Sequence, residues 1–171
     1  FALTEKSAGC DIWDLKTYAI PVHEGGVLVG YRLTGEKLYT TNAPREDHEF
    51  LASLLVVIAQ IVTVPQDVDR PKEERRFGAF VVETQSAGCR CTRLSFMGVR
   101  GIYNGQVHLR DVFVPVADRL GEEGEGLRRA LESLTVGRLT LPAACLGSLK
   151  QCLWLARARA QQRIQYDRPI G

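Results

Sequence analysis

A change of hydrophobic period near residue 121 constrains the fold more than any other feature. From Leu15 to Val114 the chain carries short β-branched and aromatic runs that are broken by turn residues, a pattern typical of strands. After the glycine- and glutamate-rich run 121–126, apolar residues recur at helical steps, at Leu127, Leu131, Leu134, Leu141 and Cys145. The sequence therefore predicts a mainly β region followed by helix.

The β region is predicted to be a meander that forms an antiparallel β-barrel or sandwich. Its strands are expected at 17–20, 27–33, 38–41, 54–64, 77–82, 89–94 and 106–114. Residues 23–26 and the pair Asn104-Gly105 have the composition of turns, and Pro65–Arg76 that of a solvated loop.

The helical region is predicted to be an incomplete bundle of one or two long helices. Arg138 occupies a position on the apolar stripe, Pro142 is expected to kink the helix, and helical spacing continues to about Arg163. Pro169–Gly171 is predicted to be the helix exit. Because an apolar stripe needs other helices to cover it, we expect domains at 1–119 and 120–171, the second one partial.

Composition excludes several classes of protein. The 22 Lys and Arg against 20 Asp and Glu give a net charge of only +2, which disfavours nucleic-acid binding. The longest apolar run, 50–64, is interrupted by Gln60 and is shorter than the roughly 20 residues of a membrane span. Since the chain opens on Phe1 and its one methionine is Met97, we expect that it begins inside a longer protein.

Cysteine and histidine positions predict no metal site. The five cysteines lack framework spacing, which favours a reducing compartment. Cys89 and Cys91 form C-x-C without a second Cys or His pair, so strand packing is the preferred interpretation. No role is assigned to His23, His48 or His108.

Two segments are candidates for ligand binding. Thr4–Asp11 is rich in small and hydroxyl residues, as in loops whose backbone N–H groups approach a phosphate, although a plain connector is the alternative. On the predicted strand 38–41, the period of two places Tyr39 and Thr41 on one side. An aromatic face beside a hydroxyl donor suits a flat heteroaromatic ring, but an ordinary packed strand is the alternative.

Arg138 is the third candidate, because a guanidinium on an apolar stripe needs an anion or a ligand to offset its desolvation. An internal salt bridge would serve equally well. The run 121–126 holds three glutamates, which repel an anion, so it is interpreted as the helix entry. The arginines after residue 156 have the default explanation of a solvated basic face.

Four segments in order together resemble the acyl-CoA dehydrogenase family. Thr4–Asp11 is similar to its T-E-P-x-x-G-S-D loop, and Gly35–Asn42 to its G-x-K-x-W-I-T-N strand. Leu109–Pro115 resembles x-x-D-V-x-V-P, and Arg163–Ile170 resembles R-x-Q-F-G-x-P-I.

This resemblance implies FAD chemistry, in which an acyl-CoA thioester is oxidised to the enoyl thioester and electrons pass to an external acceptor. It implies cofactor contacts by Thr4, Gly9, Cys10, Tyr39 and Thr41, of which Tyr39 stacks on the ring. It further implies substrate contacts by Arg138 and Cys10, and contacts to the FAD of a neighbouring subunit in a homo-oligomer by Arg163, Gln165 and Tyr166. It places the protein in the cytoplasm or the mitochondrial matrix.

The departures from the family pattern define the alternatives. Lys6, Cys10, Tyr39 and Asp167 replace the usual Pro, Ser, Trp and Gly. No catalytic base is identified, since one family position is Gly137 here and the usual glutamate is expected beyond this chain. The isolated chain is therefore expected to be inactive. A related oxidase and a non-enzymatic interaction module remain the alternative functions.

Overall fold

The computed structural model describes residues 1–44, 49–98 and 100–171, so His48 lies outside the described residues. The chain forms two compact units, Phe1–Ala130 and Leu131–Gly171. Among the described residues, no helix has the length and apolar character that a membrane span requires.

The first unit contains a six-stranded mixed sheet. Its strands are β1 (Tyr18–Glu24), β2 (Val27–Thr41), β3 (Leu54–Ile61), β4 (Phe77–Glu83), β5 (Cys89–Arg93) and β6 (Asn104–Pro115). Their order is β4-β3-β1-β2-β6-β5, and β1 pairs with β3 in parallel while the other neighbours are antiparallel. The prediction of a mainly β region before helix is confirmed. The sheet is not closed, however, and one parallel pair makes it mixed, because the long segment between β2 and β3 returns the chain beside β1.

Two apolar cores hold this unit together. The larger core lies among alternate residues of the strands and includes Tyr31, Val57, Phe80 and Leu109. A smaller core covers the opposite side of β3 and β4, where Ile58 and Phe77 meet Leu15 and Leu127. β3 is thus buried on both faces, which explains its nearly continuous apolar sequence.

Turn chemistry accounts for one success and one error. Gly25 and Gly26 have φ of 57° and 83°, so a two-residue turn joins β1 to β2 as predicted. The prediction of a turn at Asn104-Gly105 is wrong, because both residues are buried in β6 and pair with Thr41 and Thr40. A side chain at 105 would collide with Pro44 Cγ at 2.3 Å, so glycine serves close packing there.

One continuous helix follows the sheet. α1 spans Gly126–Gln162 with Pro142 inside it, and only Gly126, Leu127 and Ala130 are buried. It ends earlier than the predicted exit at Pro169–Gly171, because β7 (Ile164–Gln165) and β8 (Arg168–Pro169) form a short hairpin there. The predicted loop after β3 contains two 3₁₀ turns, Pro65–Asp69 and Lys72–Glu74.

Candidate functional site

The loop that contains Thr4 is bonded directly to the strand that contains Tyr39 and Thr41. The Leu38 N–H donates to the Thr4 carbonyl at 2.7 Å, and Ala2 bridges to Val57 on β3. Two of the predicted segments, which are more than thirty residues apart in sequence, therefore meet at one place on the sheet.

A buried ion pair fixes this junction. Lys37 Nζ donates to Glu5 Oε1 at 2.7 Å and to the Leu3 carbonyl at 3.1 Å, and both charged side chains are almost fully buried. The Glu5 carboxylate also accepts the backbone N–H groups of Lys16 at 2.6 Å and Thr17 at 3.1 Å. Burial lowers the pKa of Lys37 to about 8, an effect that Glu5 opposes. This ion pair was not predicted from the sequence, although its members lie inside the family motifs at Thr4–Asp11 and Gly35–Asn42.

Tyr39 and Thr41 are exposed on the strand while Thr40 between them is buried. Tyr39 lies at a β-bulge, because Lys37 pairs with Val107 and Thr40 with Gly105, which leaves one extra residue on β2. Its φ is 58°, uncommon for an aromatic residue, and the residue is 55% exposed. The ring lies 5.9 Å from that of Phe96, between centroids. The side chains of Tyr39 and Thr41 are thus both exposed, on either side of the buried Thr40.

Asn104, which sequence analysis assigned to a turn, contacts both residues. Its Nδ2 donates to the Tyr39 carbonyl at 3.3 Å and to Thr41 Oγ1 at 3.1 Å. Since Thr41 Oγ1 accepts from Asn104, the hydroxyl proton of Thr41 remains available to an acceptor outside the protein.

In the loop 8–11, Ala8 is buried in the smaller core and the residues after it are exposed. The Glu5 and Ala8 backbones exchange hydrogen bonds at 3.1 and 3.2 Å, and the next residues, Gly9 and Cys10, are exposed. An added Cβ at Gly9 would meet nothing within 4 Å, so the backbone there is accessible to a bulky anion. Asp11 then pairs with Lys72 at 2.5 Å, which lowers the pKa of the Asp11 carboxyl.

The remaining predicted site residues belong to the second unit and are exposed. Tyr166 and Asp167 form the turn of the β7–β8 hairpin, with φ of 55° and 59°. Arg163, at the end of α1, accepts the Ile170 N–H through its carbonyl at 3.1 Å, and Gln165 pairs with Arg168. Burial on α1 ends at Ala130, so Arg138 and its apolar stripe are exposed in this chain.

The residues of the first unit fit a flavin dinucleotide. They combine an exposed aromatic ring, a hydroxyl whose proton is free to donate and an open glycine loop, which match the flat ring and the phosphate groups of that ligand. Within the part of the chain that the structure describes, no group of three His, Cys, Asp or Glu side chains is placed to hold a metal ion.

Known proteins share both the sequence and the fold. Residues 1–112 match the model of the acyl-CoA dehydrogenase middle domain, and residues 124–171 that of the acyl-CoA dehydrogenase C-terminal domain. A probable acyl-CoA dehydrogenase of Mycobacterium tuberculosis is 40% identical over the whole chain, which covers 24% of that protein.

Solved structures are also similar to this chain in fold. An acyl-CoA dehydrogenase from Bacillus anthracis complexed with FAD has a TM-score of 0.80 at 32% identity, and covers 99% of this chain with 26% of its own. Butyryl-CoA dehydrogenase from Megasphaera elsdenii has a TM-score of 0.81 at 29% identity, with 99% and 40% covered. The chain thus spans a quarter to two fifths of the length of these relatives, and it belongs to the acyl-CoA dehydrogenase family.

Proposed function

We propose that this chain is the FAD-binding portion of a flavoenzyme that oxidises an acyl-CoA thioester at its α and β carbons. The observation that carries the proposal is the exposed pair Tyr39 and Thr41 beside the pinned Thr4 loop. When bound, FAD would supply the hydride acceptor for this oxidation, and the α-proton would be removed by a base that the residues named above do not provide.

Residues of the first unit would contact different parts of the cofactor. Tyr39 would cover one face of the ring system, Thr41 would donate to the N5 region and Thr4 would hold the pyrimidine edge. The backbone N–H groups at Gly9 and Cys10 would bind the pyrophosphate. Family membership and the accessible backbone of this loop support these roles.

The residues of the second unit would act on substrate and on a neighbouring subunit. Arg138 would contact the acyl-CoA, and Arg163, Gln165 and Tyr166 would reach the FAD of another subunit in a homo-oligomer. Their exposure in this chain leaves them free to do so. Cys10, in the first unit, is proposed independently as a substrate contact. We propose that the two family domains divide between residues 119 and 120, whereas the first turn of α1, up to Ala130, packs with the β unit. We place the protein in the cytoplasm or the mitochondrial matrix.

The test of this function uses the full-length protein that contains this chain. Anaerobic addition of acyl-CoA thioesters of increasing length should bleach the flavin absorbance, and an electron-transferring flavoprotein should restore it. Absence of both a flavin spectrum and acyl-CoA-dependent bleaching contradicts the proposal. Stoichiometric peroxide on aeration would identify an oxidase of the same family instead.

A non-enzymatic module is the second candidate. Lys6 is exposed in the loop where the family has proline, and Asp167 adds a carboxylate to the hairpin turn where glycine is usual. If the full-length protein is folded but holds no FAD, and K6P/D167G does not restore binding, the module is the correct assignment.

A further inference from the structure

Asn104 carries a buried amide that neither the family motifs nor the proposed function uses. It is 7% exposed, and its Oδ1 atom is buried without a hydrogen-bond partner among the described residues. A buried amide with an unsatisfied acceptor lowers stability, so an apolar residue would suit the sheet better. The two hydrogen bonds that the same amide donates indicate its role.

The geometry fixes the direction in which this amide donates. The Tyr39 carbonyl can only accept a hydrogen bond, so the group that faces it must be the NH₂ of Asn104, at 3.3 Å. The second proton of the same NH₂ points at Thr41 Oγ1, at 3.1 Å. A hydroxyl that accepts on its inner side directs its own proton outward.

The Asn104 backbone is bonded to chain segments on both sides of β6, which fixes the position of its side chain. The Leu94 N–H donates to the Asn104 carbonyl at 2.9 Å, and Asn104 pairs with Thr41 across β2 and β6. The Asn42 N–H donates to the neighbouring Tyr103 carbonyl at 2.9 Å. The bulge at Tyr39 is therefore closed by a residue of the adjacent strand.

We propose that Asn104 is a positioning residue for the flavin contact, which sets the outward direction of the Thr41 hydroxyl proton and holds the Tyr39 bulge. The inference rests on the proposed function, because it assigns Thr41 a ligand acceptor. It identifies a third position, on β6, that governs the recognition of the ring by β2.

The test compares N104D with Q106E, which makes the same amide-to-carboxylate change two residues along β6, where the Gln106 side chain donates to Glu36. The carboxylate that N104D introduces must accept from Thr41, which turns the hydroxyl inward. FAD affinity, measured by titration, should fall about tenfold in N104D, the equivalent of one hydrogen bond, and be unchanged in Q106E. The visible flavin band should also shift in N104D and in T41V.

The double variant N104D/T41V separates positioning from a general structural role. If Asn104 acts through Thr41, the double variant binds FAD as T41V does. Independent, multiplying losses overturn the inference, as does N104D binding like the wild type. N104L, which adds no charge, provides the same comparison if N104D does not fold.

A measurement without ligand separates this inference from the proposed function. In nitrogen-15 NMR spectra of the unliganded chain, the side-chain NH₂ protons of Asn104 should exchange with solvent far more slowly than those of Gln106, and T41V should shift them. Fast exchange overturns the inference. Slow exchange in a wild-type chain that does not bind FAD upholds the geometry and contradicts the proposed function.

Discussion

Lys37 and Glu5 belong to two motifs that are distant in the chain and adjacent in the fold. Their ion pair lies beside the backbone bond between Leu38 and Thr4, so the Thr4 loop and strand β2 share one anchor. Breaking a buried pair from one side leaves an uncompensated charge, which is far more costly than losing an exposed pair.

K37M tests this anchor. The Glu5 carboxylate would remain buried without its cation, so the free energy of unfolding in urea should fall by about 3–5 kcal/mol. K16M is the matched control, because Lys16 pairs with Asp14 and Asp69 at the surface, and its loss should be below about 1 kcal/mol. Equal effects of the two variants would show that the buried pair is no anchor.

Y39G separates the role of the ring from that of the backbone. Glycine adopts the left-handed conformation at φ 58° without strain, which stabilises the folded chain by about 1 kcal/mol. This gain offsets the loss of the contact between the rings of Tyr39 and Phe96. The free energy of unfolding should stay within about 1 kcal/mol of the wild type, while FAD affinity should fall about tenfold or more. Stability and affinity that fall together would assign Tyr39 to folding alone.

Period-two alternation predicts Tyr39 and Thr41 on one side of a strand, and both are exposed. The bulge at Tyr39 interrupts that alternation, however, since Lys37 and Thr40 are both buried. The bulge at Tyr39 and the contact from Asn104 depend on pairing across 63 to 65 residues, for which the sequence has no local signal. Asn-Gly is typical of turns, but the close approach of Pro44 to Gly105 overrides that preference. Arg138 is exposed in this chain, and helical spacing alone does not reveal whether a partner covers its stripe.

At the scale of elements, strand β5 carries a thiol, that of Cys89, whose pKa is raised by burial. Cys89 is buried opposite Leu109 on β6, and burial raises the pKa of its thiol from 9.0 to about 12, with a smaller effect of Cys91. The unfolded thiol therefore ionises before the folded one. The stability that Cys89 contributes is fully present below pH 9.0 and is lost as the pH rises towards 12.

C89A isolates this effect. The free energy of unfolding of the wild type, relative to that of C89A, should decrease as the pH rises from about 8 to about 11. C152A, whose thiol is exposed on α1, is the control for the removal of a thiol. A pH-independent difference for C89A would mean that the thiol is hydrated in the folded chain. Denaturation in urea at several pH values measures both.

At the scale of the whole molecule, the first turn of α1 belongs to the β unit. Leu127 and Ala130 are buried with Phe77 and Ala79, while Tyr31 donates to Glu123 at 2.7 Å just before the helix. The predicted boundary at 119 followed the change of hydrophobic period, which marks where strands end. It could not include the helical turn that covers the outside of β3 and β4.

Two fragments test where the β unit ends. Residues 1–130 should unfold cooperatively, because both cores are complete within them. Residues 1–119 lack Leu127 and the Glu123 partner of Tyr31, and should be less stable by about 2–4 kcal/mol, from one buried leucine and one buried hydrogen bond. Equal stability in urea would place the boundary at 119 and contradict a structural role for the helix start.

FAD titration of the purified chain tests the central claim most directly, namely that Tyr39 and Thr41 present a flavin-binding face. Saturable binding is expected, weakened about tenfold in Y39A and T41V. F113A and T92V are the controls, because Phe113 and Thr92 lie on other strands, where they contact Arg32 and His108. No saturable binding by the wild type, or equal losses in all four variants, would contradict the account.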